Sequence, residues 1–240
     1  MALKTLIIVH LYPKEMNIYG DTGNVKVLIW RLGKRDITAK VAKIGMGQAL
    51  PSDTDILIAG GGQDSGQEVI KQDLKKRTKD LKAMADDGVS MLTICGTYQL
   101  FGHYFKTAEG VKMPGVGIFD AVTDAGDDRM IGNIVIQSPF GRLVGFENHS
   151  GQTTLADDQL PLGKVIKGSG NNGSSGKEGA VYKNVFGTYL HGPILPKNPN
   201  LADELIRRAL ERKYGRLDGQ LAPIDDGVAK KAAELAAKRP

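Results

Sequence analysis

The stretch Val89-Ser-Met-Leu-Thr-Ile-Cys-Gly-Thr-Tyr-Gln99 carries the only cysteine of the chain, at the point where an apolar run gives way to a helix-like segment. Val89 to Ile94 reads as a buried strand, and Thr97 to His103 as the helix that follows it. A strand that turns sharply into a helix can hold a side chain exposed at the turn, where the helix N-terminal amides favour a thiolate. Cys95 is therefore a candidate nucleophile. The competing reading is a small buried hydrophobe, since free Cys is among the most buried residue types.

The segments before this turn alternate strand and helix. Leu6 to Val9 is an apolar strand, and Asp21-Thr-Gly-Asn24 supplies capping residues for a helix over Val25 to Leu32. Ile37 to Ile44 alternates like a strand, and Asp55 to Gly60 is a third strand ending in Gly60-Gly61-Gly62. Ser65 to Asp87 predicts one long helix, with Gly88 as its C-terminal left-handed residue. This order implies an α/β fold with a mostly parallel sheet flanked by helices, whose working residues gather at the carboxyl ends of the strands.

Beyond Cys95 the pattern changes. Val116 to Val122, Arg129 to Gln137 and Arg142 to Glu147 read as additional short strands. Gly168 to Gly179 holds five glycines and three serines in twelve residues, which predicts a mobile loop too polar to pack. Lys164 to Lys167 and Ala180 to Lys183 flank it, and Val185 to Leu190 is a last strand that delivers His191-Gly192-Pro193. Helices over Leu201 to Tyr214 and about Gly227 to Lys238 close the chain, giving a main domain over 1–214 and a C-terminal helical extension over 215–240.

Composition narrows the class. With 240 residues the chain can bury a sizeable core, and 32 basic against 27 acidic residues give +5, too small an excess to require nucleic acid. Much of the positive charge sits at Lys71, Lys75, Lys76, Arg77, Lys79 and Lys82, which reads as a solvated helix face. One cysteine excludes an intramolecular disulfide and fits a reducing compartment. No stretch approaches the roughly 18 to 20 apolar residues of a membrane span, and the apolar start is too short for a signal peptide. A soluble cytoplasmic protein is expected.

A thiolate needs a base that takes its proton and returns it to a leaving group, and a histidine near neutral pKa does both. His191 is the candidate. Backbone amides of Gly61, Gly62 and Gly96 are candidates for the oxyanion hole, because glycine lets the chain approach a ligand closely. The one cysteine and four scattered histidines give no zinc-type spacing, so no metal is expected. A phosphate loop of the Gly-x-x-x-x-Gly-Lys-Ser/Thr type is also absent from the sequence.

Cys95-Gly-Thr-Tyr-Gln99, Gly60-Gly-Gly62 and Tyr189-Leu-His-Gly192 resemble the class I glutamine amidotransferases, in the branch related to cobyric acid synthase. Asn17-Ile-Tyr-Gly-Asp-Thr-Gly-Asn24, Gly145-Phe-Glu-Asn-His-Ser-Gly151, Gly170-Asn-Asn172 and Gly187-Thr-Tyr-Leu-His-Gly-Pro-Ile-Leu-Pro-Lys-Asn198 resemble, within that branch, the glutaminase subunits of lipid II isoglutaminyl synthase. The resemblance reaches to about Tyr214. It implies that Cys95 attacks the side-chain amide of L-glutamine, that His191 protonates the ammonia, and that Arg129, with Gln99, binds the substrate. Glu147 and His149 are candidate accessory residues. It further implies a heterodimer with a Mur-ligase-like catalytic subunit, which would carry ATP and Mg, reach lipid II and amidate its D-glutamate α-carboxylate. No cofactor is expected in this chain, and contact with the inner face of the membrane would come only through the partner's lipid substrate. A glutaminase serving another acceptor, such as a cobyrinic acid-type or pyridoxal phosphate synthase partner, and a non-catalytic binding subunit of the same fold are the alternatives.

Two residues depart from the family pattern. Where many class I enzymes have Glu two residues after the histidine, this chain has Pro193, so something else must hold His191: Glu147 or a backbone carbonyl of this chain is a candidate, and the resemblance implies an acid from the partner subunit. Thr97 stands where a second glycine often follows the nucleophile. A small β-branched residue there is sterically mild, and activity is expected to survive it.

Overall fold

The apolar runs read from the sequence become neighbours in one twisted sheet. The structure is a computed structural model and describes residues 4–217 and 219–239. Its first half alternates β1 (Thr5–Leu11), α1 (Thr22–Gly33), β2 (Thr38–Ile44), β3 (Ile56–Ala59), α2 (Asp64–Lys76), α3 (Thr78–Asp86), β4 (Ser90–Ile94) and α4 (Gly96–Phe101). Then come β5 (Tyr104–Lys106), β6 (Lys112–Pro114), β7 (Ala121–Ser138), β8 (Gly141–Leu155), β9 (Gly163–Lys167), β10 (Lys177–Glu178), β11 (Ala180–Tyr182) and β12 (Val185–Thr188). A 3-10 turn (Leu195–Lys197), α5 (Pro199–Tyr214) and α6 (Gly227–Lys238) follow.

Two sheets result. The first runs β11-β12-β4-β3-β1-β2, parallel except for β11, and the second runs β10-β9-β7-β5-β6 with β8 paired to β7. Every residue of β3, β4 and β12 is buried, as expected for central parallel strands covered on both faces. Because β3, β4 and β12 are adjacent, the Gly60 turn, Cys95 and His191 emerge side by side at their carboxyl ends.

Three expectations are corrected. The helix over Ser65 to Asp87 is two helices: the chain turns at Arg77, which is buried and binds Asp73 through Nε at 2.6 Å and the Gly45 carbonyl through Nη2 at 3.0 Å. The short strands over 129–137 and 142–147 are the inner parts of one long hairpin, β7–β8, whose register shifts between Ala125 and Met130. The loop over Gly168 to Gly179 is anchored despite its composition. Asn171 is fully buried, exchanges two bonds with Gly179 and accepts one from the Tyr98 hydroxyl. The Ser169 and Gly170 amides donate to Glu147 at 2.7 and 2.9 Å. Polar side chains that satisfy backbone groups are how such a segment packs.

The C-terminal extension folds back on the main body. Arg31 of α1, 2 % exposed, binds Asp203 of α5 and Asp226 at the start of α6, each at 2.6 Å. Removing Arg31 leaves Asp226 without this partner, while Asp203 keeps Arg35, whose Nη1 lies 2.8 Å from its Oδ1. Arg31→Ala should therefore destabilise the fold by about 1.5–3 kcal/mol, the range for lost hydrogen bonds to charged groups, and speed proteolysis between Tyr214 and α6. An unchanged melting temperature and cleavage pattern would contradict this latch.

Candidate active site

Cys95 sits at the apex between β4 and α4 with φ +51° and ψ −110°, a conformation a non-glycine residue adopts only when its surroundings enforce it. Its N–H donates to the Thr188 carbonyl of β12 at 2.8 Å, and its own carbonyl accepts from Gln99 of α4 at 2.9 Å. Thr97 locks the same turn. Its hydroxyl oxygen accepts the Ile94 N–H at 3.0 Å and lies 2.8 Å from the Ala59 carbonyl, joining the ends of β3 and β4. The residue that departs from the family glycine therefore has a structural task.

His191 lies against Cys95 across Gly61. A Cβ added to Gly61 would stand 3.3 Å from Cys95 Cβ and 3.0 Å from His191 Cε1. The His191 backbone is pinned to the second sheet by a two-way bridge to Phe146, with its N–H 2.8 Å from the Phe146 carbonyl. Its ring packs against Tyr19 at a centroid distance of 4.2 Å. Neither ring nitrogen has a hydrogen-bond partner among the described residues. Two buried carboxylates lie on neighbouring segments, and both are engaged elsewhere. Glu147 holds the Ser169 and Gly170 amides, and Glu178 accepts the Tyr189 N–H at 2.6 Å and the Thr188 hydroxyl at 3.1 Å.

The expected oxyanion donors divide. The Gly61 N–H donates to Asp21 Oδ2 at 2.8 Å and so is committed to a carboxylate. Gly62 and Gly96 remain as candidates: they face each other closely enough that a Cβ on Gly96 would lie 3.0 Å from the Gly62 carbonyl. The Gly96 amide also acts on the Cys95 thiol, favouring its ionised form.

Beside Cys95 lies a pocket of about 330 Å³, with Tyr19, Asp64, Gln99, Arg129, Asn148 and His149 among its lining residues. Arg129 falls in the stretch where β7 and β8 lose register, and such irregularities re-aim side chains. Its Nε donates to Asn148 Oδ1 at 2.7 Å, which fixes the plane of the guanidinium and leaves its terminal amino groups to grip a carboxylate. Gln99 lines the pocket, but both ends of its amide are used internally. Oε1 accepts from Gln67 at 2.5 Å and Nε2 donates to the Tyr189 hydroxyl at 3.1 Å. His149 stacks on Tyr189 with ring centroids 3.6 Å apart and directs Nδ1 at the Gly151 carbonyl at 2.8 Å, so that nitrogen carries the proton.

Burial controls the charges here. It pushes the Cys95 thiol up to about 12, with the Asp21 carboxylate adding to the effect, and it lowers His191 to about 3, with His149 adding. In the chain by itself the pair is a neutral thiol beside a neutral imidazole.

Residues 7–199 match the CobB/CobQ-like glutamine amidotransferase domain. The chain belongs to this family. It is 44% identical over 210 residues to the GatD subunit of lipid II isoglutaminyl synthase (glutamine-hydrolyzing) of Staphylococcus aureus, covering 87% of this chain and 86% of that one. It is 42% identical over 234 residues to the same subunit of Streptococcus pneumoniae, covering 95% and 89%. A cobyric acid synthase of Sphingopyxis alaskensis is 26% identical over 85% of this chain but only 41% of its own length. Among solved structures, PurLQS of Thermotoga maritima superposes with a TM-score of 0.57 at 16% identity, over 87% of this chain and 99% of that one. A glutaminase domain of Trypanosoma brucei CTPS with bound acivicin gives 0.54 at 10%, over 90% and 100%. These two structures establish the shared amidotransferase fold.

Asp21, Tyr19, Asn148 and Glu178 are the site neighbours that sequence reasoning missed or read differently. Asp21 was expected to cap α1; it occupies the N-cap position without a capping bond and reaches Gly61 instead. The electrostatics predict how Cys95 reacts. Its alkylation by iodoacetamide in the isolated chain should rise about tenfold per pH unit between pH 7 and 10 without levelling, because only the thiolate reacts. A plateau near pH 7 would contradict a thiol held up by burial.

Proposed function

We propose that this chain is the glutaminase subunit of a lipid II isoglutaminyl synthase. Cys95 Sγ attacks the side-chain carbonyl carbon of L-glutamine as its proton passes to His191, and the oxyanion is met by the Gly62 and Gly96 amides. His191 then gives that proton to the departing ammonia, leaving a γ-glutamyl thioester on Cys95. Water, deprotonated by His191, releases glutamate and restores the thiol, so that glutamine and water become glutamate and ammonia. Arg129 grips the substrate α-carboxylate with two parallel hydrogen bonds.

The ammonia passes to a Mur-ligase-like partner that binds ATP and Mg and amidates the D-glutamate α-carboxylate of lipid II. The work is done in the cytoplasm, at the membrane face only where the partner holds its lipid. The main support is the 42–44% identity to two GatD subunits over most of both chains, in a chain whose Cys95 and His191 flank one glycine. No described helix is long and apolar enough to cross a membrane.

Glutamate release by two variants tests the reading. Cys95→Ser should abolish it while the fold persists, because a serine hydroxyl is far less ionised than a thiol. Arg129→Ala should raise KM for glutamine more than it lowers kcat, as expected for a group that holds ground and transition states alike. Parent-like turnover in Cys95→Ser would remove the nucleophile from the mechanism, and unchanged glutamine kinetics in Arg129→Ala would move the substrate pocket elsewhere.

A further inference from the structure

Asp21-Thr-Gly-Asn24, read from the sequence as helix-capping residues within a family-like segment, joins the two halves of the active site. Asp21, Asn24 and Leu195 are all fully buried. Gly61 donates its N–H to Asp21 Oδ2 at 2.8 Å, and Asn24 Nδ2 donates to Asp21 Oδ1 at 3.5 Å. Leu195 donates its N–H to Asn24 Oδ1 at 2.9 Å. Gly61 belongs to the turn that flanks Cys95, and Leu195 opens the 3-10 turn four residues after His191. The chain of bonds therefore runs from the nucleophile side of the site to the imidazole side through two buried side chains at the start of α1.

The glycine in the motif completes the contact. A Cβ on Gly23 would lie 2.4 Å from Pro193 Cγ, so only glycine lets the start of α1 close on the segment after His191. That segment is held from α1 through its backbone at Leu195 and through the Pro193 ring. The Gly60 turn closes equally tightly on the other side, where an added Cβ would lie 2.6 Å from Asp21 Cβ.

We infer that Asp21 and Asn24 are positioning residues for the glutaminase reaction, a relay that sets the spacing between the Gly61–Gly62 turn and His191. The inference rests on the glutaminase reading given above. The polarity of the relay is determined at every link. A backbone N–H at each end can only donate, so Asp21 and Asn24 must each turn an oxygen outward. Between them one donor is needed, and Asn24 Nδ2 supplies it. Asp21→Asn breaks this pattern, since its new amide must face either the Gly61 N–H or Asn24 Nδ2, two donors in either case. Asn24→Asp breaks it in the opposite sense by setting two carboxylates against each other. The double variant Asp21→Asn/Asn24→Asp restores it. The side-chain oxygen at position 21 then meets the Gly61 N–H, the amide nitrogen there donates to the new carboxylate at position 24, and that carboxylate still accepts from Leu195.

The test measures glutamate release under the conditions in which the parent turns over best, with thermal melting of each variant in parallel. Asp21→Asn should lower kcat by about tenfold or more, with KM for glutamine within about twofold, a smaller loss than the roughly 10²–10³ that follows outright removal of an oxyanion donor. Asn24→Asp should do likewise, and the double variant should recover to within about threefold of the parent, the non-additivity expected of directly bonded residues. A double variant no more active than either single one, folded or not, would overturn the relay, as would parent-like kcat in Asp21→Asn. A parent without Cys95-dependent glutamate release would instead refute the glutaminase reading itself.

Discussion

The candidate site of this molecule depends on one constraint: Cys95 is held at positive φ, at the apex between a buried strand and a short helix. Such a conformation costs of order 1–3 kcal/mol and persists only where the surroundings over-determine it. Here the Thr188 carbonyl, the Gln99 amide and the Thr97 hydroxyl supply that enforcement. The bonds come from β12, α4 and the ends of β3 and β4, so the packing of the central sheet is what presents the thiol. Once Cys95 is placed, Gly61 has to pass between it and His191, and only a residue without a side chain fits there without displacing one of them.

The second sheet sets the position of His191. The Phe146 bridge fixes its backbone, and Glu178 gathers the Thr188 and Tyr189 groups just before it. Glu147 uses both carboxylate oxygens to hold the loop after β9. The buried acids near the histidine thus shape the backbone around it and leave the imidazole without an acceptor or donor among the described residues. Burial then keeps both thiol and imidazole neutral.

Much of this was legible in the sequence, for identifiable reasons. Apolar runs such as Ile56–Ala59 and Ser90–Ile94 state a buried parallel strand in their composition, and they locate Cys95 and the glycine turn directly. What was not legible depends on tertiary bonds. The break at Arg77 follows from a guanidinium drawn to Asp73 and Gly45, and the order of the Gly168–Gly179 loop follows from Asn171 and Glu147 satisfying its backbone. Local composition carries neither signal. Asp21 is the sharpest case, because its residue type fits a helix cap while its carboxylate serves a turn forty residues away.

On the proposed mechanism the His191 imidazole has no hydrogen-bond partner among the described residues, and an acid supplied by the ligase subunit would couple ammonia release to its consumption. Losing the orienting acid of a serine protease triad costs roughly 10⁴ in rate, which sets the scale available to a partner that supplies one. The decisive measurement is glutamate release by the purified chain alone and with its ligase subunit, at equal concentration, alongside Glu147→Gln. The expected result is a low rate that rises at least about tenfold on adding the partner, a modest share of that scale, with the Glu147→Gln complex still stimulated. Equal rates with and without the partner would contradict it, and a simultaneous loss of activity in Glu147→Gln would assign the orientation of His191 to this chain's own carboxylate.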